Sequence, residues 1–127
     1  MIHEKLSNEL IGIFYHVYSN LGHGFLEKVY QNSMYIELSN RNYQVETNKM
    51  MKVYYKGREV GLYYADLVVN DTIIIELKAH EQITPRDEAQ LLNYLRATEI
   101  ELGLLLNFGL KPQFTRKIFS NKFKKLG

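Results

Sequence analysis

Residues 72–79 read Thr-Ile-Ile-Ile-Glu-Leu-Lys-Ala. The β-branched opening is that of a strand buried on both sides. Such a strand has no ordinary place for Glu76 and Lys78. Residues two apart on a strand project from one face, so this carboxylate and this ammonium point together. Burying charge is costly unless the charges are paired or hold a metal. One reading puts both at the solvent end of an edge strand, where charges commonly discourage further pairing. The other takes in Asp66, ten residues earlier and late in the preceding strand-like segment. An antiparallel hairpin can set Asp66 beside Glu76. Two carboxylates are the usual protein share of a magnesium site, with water and phosphate oxygens completing the octahedron. Such an ion polarises a phosphate and lowers the pKa of a coordinated water. Lys78 could then orient that water or neutralise charge on a pentavalent transition state.

The hairpin must satisfy a geometric condition. A two-residue Asn70-Asp71 turn, which local preference favours, pairs Val69 with Thr72 and Asp66 with Ile75. The two carboxylates then point to opposite faces of the sheet. Pairing Asp66 with Glu76 instead requires a three-residue Asn70-Asp71-Thr72 loop, or a bulge. The metal-site reading therefore predicts that turn preference loses here.

The elements that must hold these residues are legible in the hydrophobic period. Leu6, Leu10, Ile13, Phe14, Val17 and Leu21 predict a helix over 5–21. Gly22-His23-Gly24 breaks it. A second helix follows over about 25–40, with Leu26, Val29, Tyr30, Met34 and Leu38 on its stripe. Met51, Val53 and Tyr55 alternate as in a strand, Lys56-Gly57 makes a turn, and 59–69 is a further strand before 72–79. Thr84-Pro85-Arg86-Asp87 is a helix start, with Thr84 as N-cap. Leu91, Leu92 and Leu95 give that helix its apolar face, and it should end near Thr98. Residues 102–108 predict a buried strand, and a strand or short helix covers about 114–120. The expected order is α-α-β-β-β-β-α-β. It fits a three-layer α/β domain with a central mixed sheet flanked by helices.

Length and composition bound the rest. The chain has 127 residues, 46% hydrophobic and 24% charged, which is one globular domain spanning 1–127. It has no cysteine, which excludes a disulfide scaffold, thiolate zinc, an iron–sulfur cluster and a cysteine nucleophile. Its four histidines show no ligating spacing. Neither a dinucleotide-binding glycine fingerprint nor a P-loop occurs. No apolar run approaches a membrane span, and the first residues lack a secretory h-region, so the expected compartment is the cytoplasm. The net charge is +2, but 111–127 carries six cations and no acid: Lys111, Arg116, Lys117, Lys122, Lys124 and Lys125. This basic segment reads either as a nucleic-acid contact or as a solvated tail.

Asp66, Glu76 and Lys78 resemble the signature of the PD-(D/E)XK, or restriction endonuclease-like, nuclease superfamily. A longer series narrows this. Gly24-Phe25-Leu26-Glu27-Lys28-Val29-Tyr30 spells Gly-x-x-Glu-x-x-Tyr. It is followed by Tyr64-Ala65-Asp66-Leu67-Val68-Val69, Ile75-Glu76-Leu77-Lys78-Ala79, Gln90-Leu91-Leu92-Asn93-Tyr94-Leu95 and Leu106-Asn107-Phe108-Gly109. The series is similar to the GxxExxY protein family, a small branch of that superfamily, over about residues 5–120. Two positions depart from the pattern. His23 stands where proline is expected between two glycines, and Ala65 where proline often precedes the Asp.

The resemblance implies a restriction endonuclease-like fold and hydrolysis of phosphodiester bonds. It implies Mg2+ as cofactor, with Mn2+ as a substitute. Glu27 looks like the helix glutamate that many such nucleases add to Asp66 and Glu76 at the metal. Gln90 resembles the glutamine that closes the site in several branches. Tyr30 and Tyr94 are expected to contact nucleic acid, as are Arg116, Lys117, Lys122, Lys124 and Lys125 of the basic segment; core packing is the alternative for Tyr94. The expected function is a metal-dependent nuclease acting on DNA, with a homodimer as a possible partner arrangement and no membrane. The alternative is a non-catalytic nucleic-acid-binding or assembly module on the same fold.

Overall fold

The alternation along the third strand organises the molecule. In the computed structural model, which describes residues 1–124, the strand Ile73–Lys78 is fully flanked. Ile73, Ile75 and Leu77 face one side of the sheet and Ile74 the other. The elements in chain order are α1 (Glu4–Leu21), α2 (Glu27–Asn40), β1 (Val45–Tyr55), β2 (Arg58–Val69), β3 (Ile73–Lys78), α3 (Pro85–Ala97), β4 (Leu102–Phe108) and β5 (Pro112–Ile118), with a short 3-10 turn at Asn121–Phe123. The five strands form one sheet in the order β1-β2-β3-β4-β5. Only β3 and β4 run parallel, joined by the crossover through α3. Leu10, Phe14 and Val17 of α1 and Tyr30, Met34 and Leu38 of α2 cover one face over Ile75, Leu77, Leu104 and Leu106. Leu91 and Leu95 of α3 cover the other over Val68, Ile74 and Leu105. The three-layer α/β domain read from the sequence is the one observed.

The start of α3 is built by the expected residues. The Thr84 side chain accepts from the Asp87 N–H, and the Asp87 carboxylate accepts from the Thr84 N–H. Gly103 lets the helix sit close on β4, since a Cβ there would stand 2.7 Å from Leu91 Cδ1.

Two expectations are corrected. Three strands precede α3, not four, and two follow it. Residues 45–50 join 51–55 in one long strand, which the polar run Glu46-Thr47-Asn48-Lys49 conceals in the sequence. The segment at 114–120 is a strand that pairs with β4 across its whole length.

The β2–β3 hairpin takes the less regular of the two turns. Val69 pairs with Ile73, Val68 with Ile74 and Leu67 with Ile75. The loop is therefore Asn70-Asp71-Thr72. Asn70 and Asp71 lie in the left-handed region with φ of 52° and 53°, which short polar side chains tolerate. The Thr72 N–H donates to Val69 O at 2.9 Å. Among the described residues no helix is long and apolar enough to cross a membrane.

Candidate active site

Continued by one residue, that register sets Asp66 opposite Glu76, but the regular ladder stops just short of them. Side chains take over its bonds. The Asp66 carboxylate accepts from the Leu77 N–H at 2.8 Å, and the Asp66 N–H donates to Glu76 Oε2 at 3.4 Å. Here β3 leaves β2 to continue beside β4, with Glu76 opposite Leu105 and Lys78 opposite Asn107. The edge-strand reading of Glu76 and Lys78 is thus overturned: β3 is central, and Glu76 is only 8% exposed.

The Glu76 carboxyl is pushed up to about 9, first by burial and then by its hydrogen bond with, and the charge of, Asp66; the Lys78 ammonium works in the opposite direction. Its Oε1 is buried and has no hydrogen-bond partner among the described residues. A buried carboxylate oxygen without a donor is chemically suited to meet a cation. The chemistry of the pair fits a divalent ion, since a cation at this point would satisfy Oε1 and offset the repulsion between the two acids.

The strand that carries Asp66 is bent at that residue. On β2, Leu67 and Val69 face α1 and α2, whereas Tyr63 and Ala65 face α3. Odd-numbered positions thus change sides between Ala65 and Leu67. On β1 the same change separates Val45 from Met51. Between them Asn48 has φ of 49°, a left-handed residue inside a strand. Gln31 of α2 fastens this point. It is buried, and its amide donates to Asp66 O at 2.9 Å and to Asn48 Oδ1 at 3.0 Å. Lys28 Nζ donates to Gln31 Oε1 at 3.2 Å.

On the α3 side, Tyr94 lies beside the carboxylates and is bonded to Gln90. Gln90 Nε2 donates to the Tyr94 hydroxyl at 2.6 Å. Burial raises the Tyr94 pKa, and the charges of Glu76 and Asp66 raise it further, so this phenol lies within their field. Tyr63 stacks on Tyr94 at 3.6 Å between centroids, and its pKa is raised by burial and then by Glu76. The loop after Lys78 is tied down by Asn107. Its Oδ1 accepts from the His80 N–H at 2.9 Å and its Nδ2 donates to His80 O at 3.0 Å. Gly109 permits that closeness, since a Cβ there would lie 2.4 Å from His80 O.

Asp66, Glu76 and Lys78 therefore stand together, with Tyr94 in the field of the two acids and Gln90 bonded to its hydroxyl. Other candidates do not. Glu27 is exposed at the first residue of α2, and among the described residues no three Asp, Glu or His side chains stand close enough to share one ion. Tyr30 is corrected outright. It is fully buried, stacks on Phe108 at 4.0 Å, and its hydroxyl donates to Gly22 O at 2.7 Å, so it fixes the loop before α2 and presents nothing to a nucleic acid. Three cations of the basic segment are spent on the fold. Arg116 donates to Asn8 Oδ1 at 2.8 Å, Lys117 pairs with Glu88 at 3.1 Å, and Lys124 donates to the carbonyls of Thr98 and Ile100 at 2.9 and 2.7 Å. Lys122 is exposed over the Phe123 ring, and Lys125 lies outside the described residues. Sequence reasoning missed the parts played by Gln31, Asn48 and Tyr63. The available signal was a polar residue, Gln31, three positions before Met34 on the buried stripe of α2.

Comparison with known proteins agrees with this geometry. The family model described as the PD-(D/E)XK nuclease superfamily matches residues 4–118. A search of curated proteins gave no match. Among solved structures, the chain is similar to SSO0001, with a TM-score of 0.58 and 18% identity over 93% of this chain. This chain spans 61% of that protein's length. It is also similar to an alkaline exonuclease from Laribacter hongkongensis, with a TM-score of 0.54 and 10% identity over 96% of this chain and 73% of that one. At these identities the two likenesses speak for the fold, which is restriction endonuclease-like. With the fold, the hairpin and the family match together, the chain belongs to the PD-(D/E)XK nuclease superfamily.

Proposed function

We propose that this protein is a nuclease of the GxxExxY branch that hydrolyses phosphodiester bonds in DNA with a divalent ion held by Asp66 and Glu76. The observation that carries the reading is Glu76 itself: a carboxyl on a central strand, against a second carboxylate, with a buried oxygen lacking any partner among the described residues. Magnesium suits a site of this kind, with manganese as a substitute. Two protein carboxylates are the expected share, and substrate and water supply the remaining oxygens. When bound, such an ion supplies Lewis-acid polarisation of a phosphate.

The chain's own residues do the rest. Asp66 is held at one oxygen by the Leu77 N–H, which leaves the other carboxylate oxygen for the site. Lys78, half-buried and two residues beyond Glu76 on the same face, sets a positive charge where a phosphate gains negative charge during attack. Glu27 shares a helical face with Gln31, the residue that meets Asp66, but stands apart from the carboxylate pair, so the proposed ion rests on Asp66 and Glu76. Gln90, bonded to Tyr94, is proposed to close the site on the α3 side.

The test is twofold. Circular and branched DNA should be cut in magnesium by the wild type and not by Asp66→Ala. Calorimetry should show magnesium affinity lost in the Asp66→Ala, Glu76→Ala double variant. Equal affinity in the two proteins would remove the metal site, and DNA binding without cleavage by the wild type would favour a non-catalytic module.

A further inference from the structure

Lys78 ends β3, and the chain past it is held more firmly than a surface loop needs. The His80 N–H and C=O are both bonded to the side chain of Asn107, which is fully buried on β4. The His80 ring is held as well. Its Nδ1 stands 3.4 Å from Oδ2 of Asp87, a buried carboxylate in the first turn of α3. The same oxygen accepts from the Thr84 N–H, so the cap that starts α3 also fixes the acid. A carboxylate accepts, which places a proton on Nδ1. Among the described residues this is the ring's one polar contact, so Nε2 is open. The ring is 41% exposed and lines a cleft with His23 and Leu110, which leaves room for a substrate to reach it.

The place of this pair follows from two rows of residues. Glu76 and Lys78 share the face of β3 turned to α3, and the His80 ring continues on that side, since Asp87 belongs to α3. On α3, Asp87, Gln90 and Tyr94 are three and four residues apart and share a helical face. Because β3 and β4 are parallel, α3 between them returns against the direction of β3. The rows therefore run antiparallel, with Tyr94 in the field of Glu76 at one end and Asp87 against His80 at the other. Lys78 lies between, so His80 is the next side chain past the ammonium. A second fixed charge would repeat what Lys78 supplies. An imidazole held at one nitrogen by a buried carboxylate and open at the other does what an ammonium does poorly, which is to give up a proton near neutral pH.

We propose that His80 is the general acid of the cleavage step and that Asp87 positions it. This rests on the reading of the protein as a DNA nuclease, and it adds the residue that releases the departing strand. Water attacks phosphorus and forms a new P–O bond, losing a proton to solvent. The opposite P–O bond breaks, its electron pair stays on the departing bridging oxygen, and that oxygen takes the Nε2 proton of protonated His80. The ring then regains a proton from solvent. The test uses the circular or branched DNA that the wild type cuts, and the same DNA with sulfur replacing the departing oxygen at the mapped cut. A thiolate is a far weaker base than an alkoxide and leaves without a proton. On ordinary DNA, His80→Gln should lower the cleavage rate by about 10²–10⁴, the range for a general acid. On sulfur-bridged DNA the loss should shrink to less than about tenfold, since the acid is bypassed. Asp87→Asn keeps an oxygen for the Thr84 N–H and removes the charge that favours a protonated ring, so it should show the same pattern with a smaller loss on ordinary DNA. Magnesium affinity by calorimetry and the circular dichroism spectrum should match the wild type in both variants. Equal losses on the two substrates, wild-type rates on ordinary DNA, or lost magnesium affinity in His80→Gln would overturn the assignment and leave the nuclease reading standing. Absence of any cut by the wild type removes that reading first, and the assignment with it.

Discussion

Glu76 occupies a place where a carboxyl resists ionisation, and this has a measurable consequence without any metal. Its folded pKa, about 9, lies above the ordinary 4.5 because of burial and then Asp66. The folded state therefore holds the proton more tightly than the unfolded state. The stability this contributes is complete below about 4.5 and is lost as pH rises through about 9. In chelator, the melting temperature should fall between pH 5 and 9, on the order of 5 °C. Glu76→Gln should flatten the curve by removing the titrating group. A wild-type curve no steeper than that of Glu76→Gln would refute the burial argument. Lys78 gives a second expectation at this scale. Lys78→Ala should keep magnesium binding, read by calorimetry, yet lower the cleavage rate by about 10²–10³, the size typical of losing one charge-stabilising donor. Lys78→Arg should not restore it, because a planar guanidinium differs from ammonium in shape and hydration. Wild-type turnover in either variant would exclude Lys78 from the chemistry.

At the scale of elements, the site depends on two strands changing sides at one point. Gln31 holds that point through Asp66 O and Asn48 Oδ1. Gln31→Leu leaves both acceptors without their donor, at a cost of about 1–3 kcal/mol in stability. Magnesium affinity should fall about 10- to 100-fold, as for other supporting residues of metal sites, though Gln31 need not touch the ion. Unchanged affinity by calorimetry would reduce Gln31 to a packing role. The same point marks where sequence reading stops. The hairpin register was legible as far as the need for an odd loop or a bulge, since Asp66 meets Glu76 in no other way, and the chemistry outweighed the turn preference of Asn70-Asp71. The helix α1 was legible from its apolar period and α3 from its capping residues, whereas Leu26 and Val29 of the stripe expected for α2 are exposed. The change of sides was not, because period-two reasoning assumes that every strand residue is extended, and Asn48 is left-handed. Tyr30 was misread for a related reason. Its motif position marks importance, while its burial depends on Phe108, which lies far away in the sequence.

At the scale of the whole molecule, the C-terminal cations show structural roles that composition does not reveal. Three of the six cations of this segment become, in the fold, clasps between distant elements. Arg116 reaches α1 at Asn8, Lys117 reaches α3 at Glu88, and Lys124 closes the far end of α3 by donating to the carbonyls of Thr98 and Ile100. Burial lowers the Lys124 pKa, the signature of an ammonium drawn out of water, and Glu101 and Glu99 partly offset it. The carbonyls at a helix C-terminus carry partial negative charge, so a cation there is favourable. Neutralising the tail should therefore split into two effects. Lys124→Met should destabilise the fold by about 1–3 kcal/mol, the worth of hydrogen bonds from a charged donor, lowering the melting temperature by roughly 3–10 °C. Its salt dependence of DNA binding should stay that of the wild type. Lys122→Gln should leave melting unchanged and alter the salt slope by no more than about 0.9, one duplex phosphate at most. Thermal melts alongside binding titrations at several salt concentrations separate the two. If Lys124→Met instead reduced the salt slope and left the melt untouched, its ammonium would belong to the nucleic-acid surface and not to the end of α3.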